Sequence, residues 1–120
     1  MNIYLLVADD AALVHAISAV LSDQDLVVTE RAIEPAARRL LSMQIDAMVL
    51  DDSHGLGLDA IRALRAAAPH TPVVALSSRG DVVTHAALTR AGAESVVTKP
   101  FSCESLTEAL KGVTTQRVQV

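Results

Sequence analysis

Four short apolar runs of the chain end in residues that could do chemistry together. Ile3–Val7 leads through Ala8 into Asp9-Asp10, and Ala47–Leu50 leads into Asp51-Asp52. Pro72–Leu76 is followed by Ser77-Ser78, and Ser95–Thr98 by Lys99-Pro100. Carboxylates such as Asp9, Asp10 and Asp51 repel one another when gathered, and a hard divalent cation that prefers oxygen relieves the repulsion; Mg²⁺ is the usual candidate. A carboxylate beside such a cation can attack phosphorus and form an acyl phosphate. Phosphoryl transfer asks for positioning and for charge stabilisation on the equatorial oxygens more than for covalent help. The Lys99 ammonium and the Ser77 hydroxyl are suited to that task. A single acid at the end of an apolar run means little, so the weight lies on the four ends together.

Those ends must be brought to one place, and the periodicity of the chain says how. Five apolar runs recur, the four above and Leu26–Thr29, and each is followed by a stretch of helical spacing. The runs show little polar alternation, as expected of strands buried on both faces. The intervening stretches carry apolar faces: Leu13, Ile17, Val20 and Leu21 in the first, Ala37, Leu40 and Leu41 in the second, Ile61 and Leu64 in the third. Ala87, Leu88 and Ala91 follow in the fourth, and Leu106, Leu110 and Val113 in the fifth. Ser102 is placed to cap the last helix and Gly92 to end the fourth. Right-handed crossovers turn this (βα)₅ pattern into a parallel sheet with helices on both faces. The simplest winding is the flavodoxin-like strand order 2-1-3-4-5, which binds ligands at the carboxyl ends of the strands, near the switch in order. Strands 1, 3, 4 and 5 then deliver the acids, the hydroxyl and the ammonium to one crevice. Strand 2, ending in Thr29-Glu30, is an edge strand off the switch point.

Composition agrees with a single packed domain. The 120 residues are 51% hydrophobic and 20% charged, with only 2% aromatic, so Ala, Val and Leu must fill the core. The expected folded core covers about residues 1–113, with 114–120 as a tail or the start of a linker. The net charge of −4 excludes the basic footprint that binding nucleic acid or an anionic membrane surface requires. No run approaches the ~20 apolar residues of a membrane span. The lone Cys103 cannot form an internal disulfide, which fits a cytoplasmic protein.

At these residues the sequence resembles the response-regulator receiver family. Tyr4-Leu5-Leu6-Val7-Ala8-Asp9-Asp10 is similar to that family's opening strand and acidic pair, and Asp46 to Asp51 to the strand ending in its phosphoacceptor. Val73 to Gly80 resembles the strand ending in the family's Ser/Thr. Ala91-Gly92-Ala93 through Thr98-Lys99-Pro100-Phe101 resembles the fifth strand with its Lys-Pro-Phe signature, the most specific of the matches. The resemblance implies that Asp51 accepts phosphate from a histidine kinase or a histidine phosphotransfer protein. Asp9, with Asp10 beside it, would hold Mg²⁺ together with Asp51 and the backbone carbonyl of Ser53. Ser77 and Lys99 would bind phosphoryl oxygens, and the Lys99–Pro100 bond would be cis. A homodimer through the fourth helix, fifth strand and fifth helix is a further implication, and the chain could stand alone or be the receiver of a longer regulator with an output domain beyond residue 120.

Three positions depart from the family pattern. Ala8 stands where the first acid of the pair belongs, so that Asp10 partly compensates or metal affinity falls. The segment 51–57 is about two residues shorter than usual and lacks a proline. Val96 occupies the place of a strand-5 aromatic that moves on activation. These departures favour a rival reading as a pseudo-receiver, a protein-interaction scaffold indifferent to phosphorylation. A flavin or nucleotide domain of the same topology would want a phosphate-cradling loop and ring-stacking aromatics, and the chain has neither. A phosphatase-type enzyme would want a general acid/base two residues past Asp51, where Ser53 stands. Plainer roles also exist: Asp9 and Asp10 suit a helix N-terminus, Asp52 suits a solvated acid or one that backs the acceptor, and His54, Arg38 and Arg39 suit solvated surface. His15, His70 and His85 lack metal-ligand spacing.

Overall fold

In the computed structural model, which describes residues 1–52 and 57–118, strands and helices alternate throughout. The strands are β1 (Ile3–Val7), β2 (Leu26–Glu30), β3 (Ala47–Asp51), β4 (Val73–Ser77) and β5 (Ser95–Thr98). The helices are α1 (Ala11–Leu21), α2 (Ile33–Ser42), α3 (Leu58–Ala67), α4 (Val82–Ala91) and α5 (Cys103–Val118). All neighbouring strands pair parallel, in the order β2-β1-β3-β4-β5. This is the flavodoxin-like order expected from the sequence. Strands β3 and β4 each run one residue further than their apolar runs, so Asp51 and Ser77 are themselves the last strand residues.

Alternate residues of the buried strands feed two cores. Leu5, Val7, Met48, Leu50, Val73 and Ala75 pack against α2, α3 and α4 through Ala36, Ile61, Leu64 and Leu88. Tyr4, Leu6, Val49, Val74, Leu76 and Val97 pack against α1 and α5 through Ile17, Leu21, Leu106, Leu110 and Val113. One expected face needs correcting. On α2 Ala36 is buried, whereas Leu41 is 77% exposed. A short helix on a flat sheet buries a narrow stripe, and Leu41 falls just past its edge. The last helix runs to Val118, into the stretch 114–120 expected as a tail or the start of a linker. Among the described residues no helix is long and apolar enough to cross a membrane.

The helix ends follow the local chemistry. Ser102 Oγ accepts the Ser105 N–H at 3.0 Å at the start of α5, and Asp81 accepts the Thr84 N–H at 3.1 Å at the start of α4. Gly92 ends α4 at φ 130°, where its N–H reaches the Leu88 and Thr89 carbonyls. That conformation disfavours any side chain, and a Cβ there would lie 2.7 Å from Arg65 Cγ. Arg65 is itself held by the Thr71 carbonyl at 3.0 Å and Glu94 at 3.1 Å. Gly112, by contrast, lies within α5 with nothing within 4 Å of an added Cβ. The two glycines should therefore answer the same substitution with opposite signs. Gly92→Ala is expected to destabilise by about 1–3 kcal/mol, and Gly112→Ala to stabilise by about 0.5–1 kcal/mol. Urea unfolding of the two variants checks this, and a shift of the same sign in both would refute it.

Candidate functional site

The site is assembled by strand register. Asp51 sits opposite Leu76, and Ser77 opposite Thr98. Two backbone bonds continue the ladder past the strand ends: the Asp52 N–H donates to the Leu76 carbonyl at 2.8 Å, and the Lys99 N–H to the Ser77 carbonyl at 2.7 Å. The three chemical residues at the ends of β3, β4 and β5 are thereby locked into one row. Asp51 and Ser77 have no solvent exposure. The Lys99 side chain reaches over β4 and brings its Nζ within 2.5 Å of Asp51 Oδ1. The Lys99–Pro100 peptide bond is cis, as the resemblance implied.

Ser77 is engaged locally rather than with Asp51. Its Oγ accepts the Arg79 N–H at 3.1 Å. Its proton has two acceptors in reach, the Arg79 carbonyl at 3.2 Å and the Asp52 carboxylate. Asp52, expected as a solvated acid or one that backs the acceptor, is half-buried. Burial raises its pKa first, and the neighbouring Asp51 charge adds to the rise, while the Ser77 hydrogen bond and Lys99 oppose it.

The two acids after β1 have other partners. Ala8 is buried in the core beneath α1 and α5. Asp9 faces Arg31, whose Nε and Nη2 both lie 2.8 Å from its Oδ1. Asp10 caps α1, its Oδ1 accepting the Ala12 and Leu13 N–H groups at 3.0 and 3.3 Å. Among the described residues no three acidic, histidine or cysteine side chains are gathered as a ready metal site. Ser53 and His54 lie outside the described residues. Cys103 is exposed in the first turn of α5.

Sequence reasoning passed over Arg31 because β2 is an edge strand. The available signal was its place directly after Glu30: β2 runs parallel to β1, so the residues after both strands must lie side by side. It also passed over His85, whose Nε2 lies 3.0 Å from Thr98 Oγ1 and ties α4 to β5. Val96 is a half-buried strand residue packed on the core beneath α4.

A doubly wound parallel sheet whose carboxyl ends hold a buried acid, a hydroxyl and an ammonium defines the class, a flavodoxin-like domain with its crevice at the switch in strand order. The family model for the response regulator receiver domain matches residues 4–111, and the chain belongs to that family of two-component signalling proteins. Solved structures agree on the fold. The beryllofluoride-activated NtrC4 receiver domain dimer superposes with a TM-score of 0.88 at 22% identity, covering 98% of this chain and 99% of that one. The chemotaxis protein CheY4 of Vibrio cholerae gives 0.86 at 23% identity, over 94% and 98% of the two chains. A response regulator receiver domain protein from Clostridium thermocellum gives 0.88 at 21%, over 99% and 98%. No curated protein matches the sequence.

The raised Asp52 pKa has a testable sign. Between the ordinary carboxylate range and the raised folded value, the folded chain keeps a proton that the unfolded chain has lost. Stability therefore falls as pH rises through that window. In metal-free buffer Asp52→Asn should melt higher than the wild type at pH 7, with the gap closing toward pH 4. A gap independent of pH would show that Asp52 carries no such penalty.

Proposed function

We propose that this receiver takes a phosphoryl group onto Asp51 from a histidine kinase or a histidine phosphotransfer protein. The observation that carries the reading is the wholly buried Asp51 carboxylate at the end of the central strand, with the Lys99 ammonium against it. In the transfer, the donor's N–P bond breaks and a bond forms from an Asp51 carboxylate oxygen to phosphorus. The electron pair returns to the imidazole nitrogen, which then takes a proton. Lys99 keeps a positive charge beside the Asp51 carboxylate, where it can meet a phosphoryl oxygen. The Ser77 hydroxyl must leave the Arg79 carbonyl to reach a phosphoryl oxygen.

Receivers typically bind Mg²⁺, and the donor set here suits it. Mg²⁺ commonly takes one or two carboxylates, phosphate oxygens and water. Asp51 and Asp9 would hold it, with the main-chain carbonyl of Ser53. Asp10 is the weaker candidate, because its Oδ1 holds two backbone N–H groups of the α1 cap, whereas the partner of Asp9 is an exposed side chain that can swing away. The ion would neutralise charge that builds up on the transferring group.

One observation favours the pseudo-receiver reading: Asp9 already has a guanidinium partner and Asp10 already has a structural task. Labelling separates the two. Incubation with a small phosphodonor and Mg²⁺ should give a slow-migrating species on phosphate-affinity gels in wild type and Asp52→Asn, and none in Asp51→Asn. Labelling that persists in Asp51→Asn and vanishes in Asp52→Asn would move the acceptor by one residue. No labelling in any of them would favour the scaffold.

The face across α4, β5 and α5 is also proposed as a homodimer surface. Support comes from exposed Val82 and Val83 on α4 and from the dimer formed by the NtrC4 receiver. Relay to that face should be weak. Val96 has few χ1 options and is too short to sweep between surface and interior. Beryllofluoride with Mg²⁺ should therefore move amide resonances strongly near Asp51, Ser77 and Lys99, and only modestly along 81–90 and 94–98. Large changes across those two segments would show that Val96 does not uncouple them.

A further inference from the structure

Arg31 is the first residue after β2, and register decides where its charge goes. Val7 pairs with Glu30, and the Ala8 N–H donates to the Glu30 carbonyl at 3.1 Å. Just beyond, Arg31 aims two nitrogens at Asp9 Oδ1, each at 2.8 Å. Glu30 is itself occupied by Arg39 Nε at 2.7 Å, so it does not draw Arg31 away. The pair stands over a groove between α1 and β2, lined by Val14, His15, Val27 and Thr29. At 79% and 41% side-chain exposure, Arg31 and Asp9 form a pair that water and ions reach, and such pairs exchange readily.

We propose that Arg31 is a built-in competitor for the divalent cation at Asp9. This rests on the reading of Asp9 as a metal ligand. Both nitrogens sit on Oδ1, and a guanidinium and a divalent cation held on the two oxygens of one carboxylate still lie close enough to repel each other. Metal entry therefore displaces Arg31, lowering the affinity for Mg²⁺. By reciprocity, metal loading releases the guanidinium into the α1–β2 groove. Arg31 thus sets how much cation the site requires, and it carries the metal state to a surface on the far side of β1 from β3.

Mg²⁺ alone, titrated at low salt into the full chain and followed by amide and arginine side-chain NMR, tests this. Arg31→Ala should tighten Mg²⁺ binding by roughly twofold to fivefold, the range expected for losing an exposed pair. Arg38→Ala, an exposed site on α2 with the same change in net charge, should leave the affinity as in wild type. In wild type the Arg31 Nε–H resonance should move toward that of a solvent-exposed arginine as the site fills. Equal affinities in Arg31→Ala and wild type, equal tightening in both variants, or an unmoved Arg31 resonance at saturation would overturn the competitor. Absence of any Mg²⁺ response in all three proteins would instead overturn the metal-site reading beneath it.

Discussion

A carboxylate buried without solvent exposure at the end of a central strand demands a cation, and Lys99 brings one to Asp51. The two residues leave the sheet from strands separated by β4. Two strand spacings are roughly 10 Å, a gap that only a long side chain can bridge. Lysine suits it, with a flexible stem and a compact point charge at its tip. The stem has to cross the end of β4, which is why a small residue there matters. Ser77 leaves room and adds a hydroxyl. The order β3-β4-β5, the cross-strand bond from Lys99 to Ser77 and the cover from both helical layers all serve this one pair.

Burial makes the pair a high-stakes arrangement. Removing two charges from water is costly, and their attraction in the interior offsets that cost only with good geometry. Losing either partner would take the opposite charge away from the other. The same logic explains why Asp52 gains a raised pKa: it enters a half-buried position beside a carboxylate whose cation is already engaged. Phosphorylation of Asp51 would place further negative charge where Lys99 and a divalent cation are the available counterweights.

Around this centre the rim acids are held by their own local contacts. Asp10 satisfies two N–H groups that α1 would otherwise leave open, while Asp9 leans outward to Arg31. Charge at the crevice is thus partly offset from within the chain, by Lys99 on one side and Arg31 on the other. On the flank toward α4, the contacts are small. The His85–Thr98 hydrogen bond joins helix and strand just before Lys99, and a Cβ added to Gly80 would lie 3.4 Å from the Thr98 methyl. No aromatic residue bridges α4 and β5 at Val96.

Much of this was legible in the residues alone. Buried parallel strands announce themselves as apolar runs, and a charged or hydroxyl residue at the end of each run is a local signal. The five strands, their order and the meeting of Asp51, Ser77 and Lys99 follow from that signal and the handedness of crossovers. Helix faces were nearly as clear, with Leu41 misplaced because the width of a buried stripe depends on the neighbour it meets. Partner choice among the acids was a different matter. Asp9 and Asp10 are adjacent in the chain, yet one caps a helix and the other pairs with a residue 22 positions away. Nothing in their own neighbourhood distinguishes them, since both are carboxylates at the same strand end. Register between β1 and β2 and the direction in which α1 leaves the sheet decide it, and those exist only once distant segments have packed together.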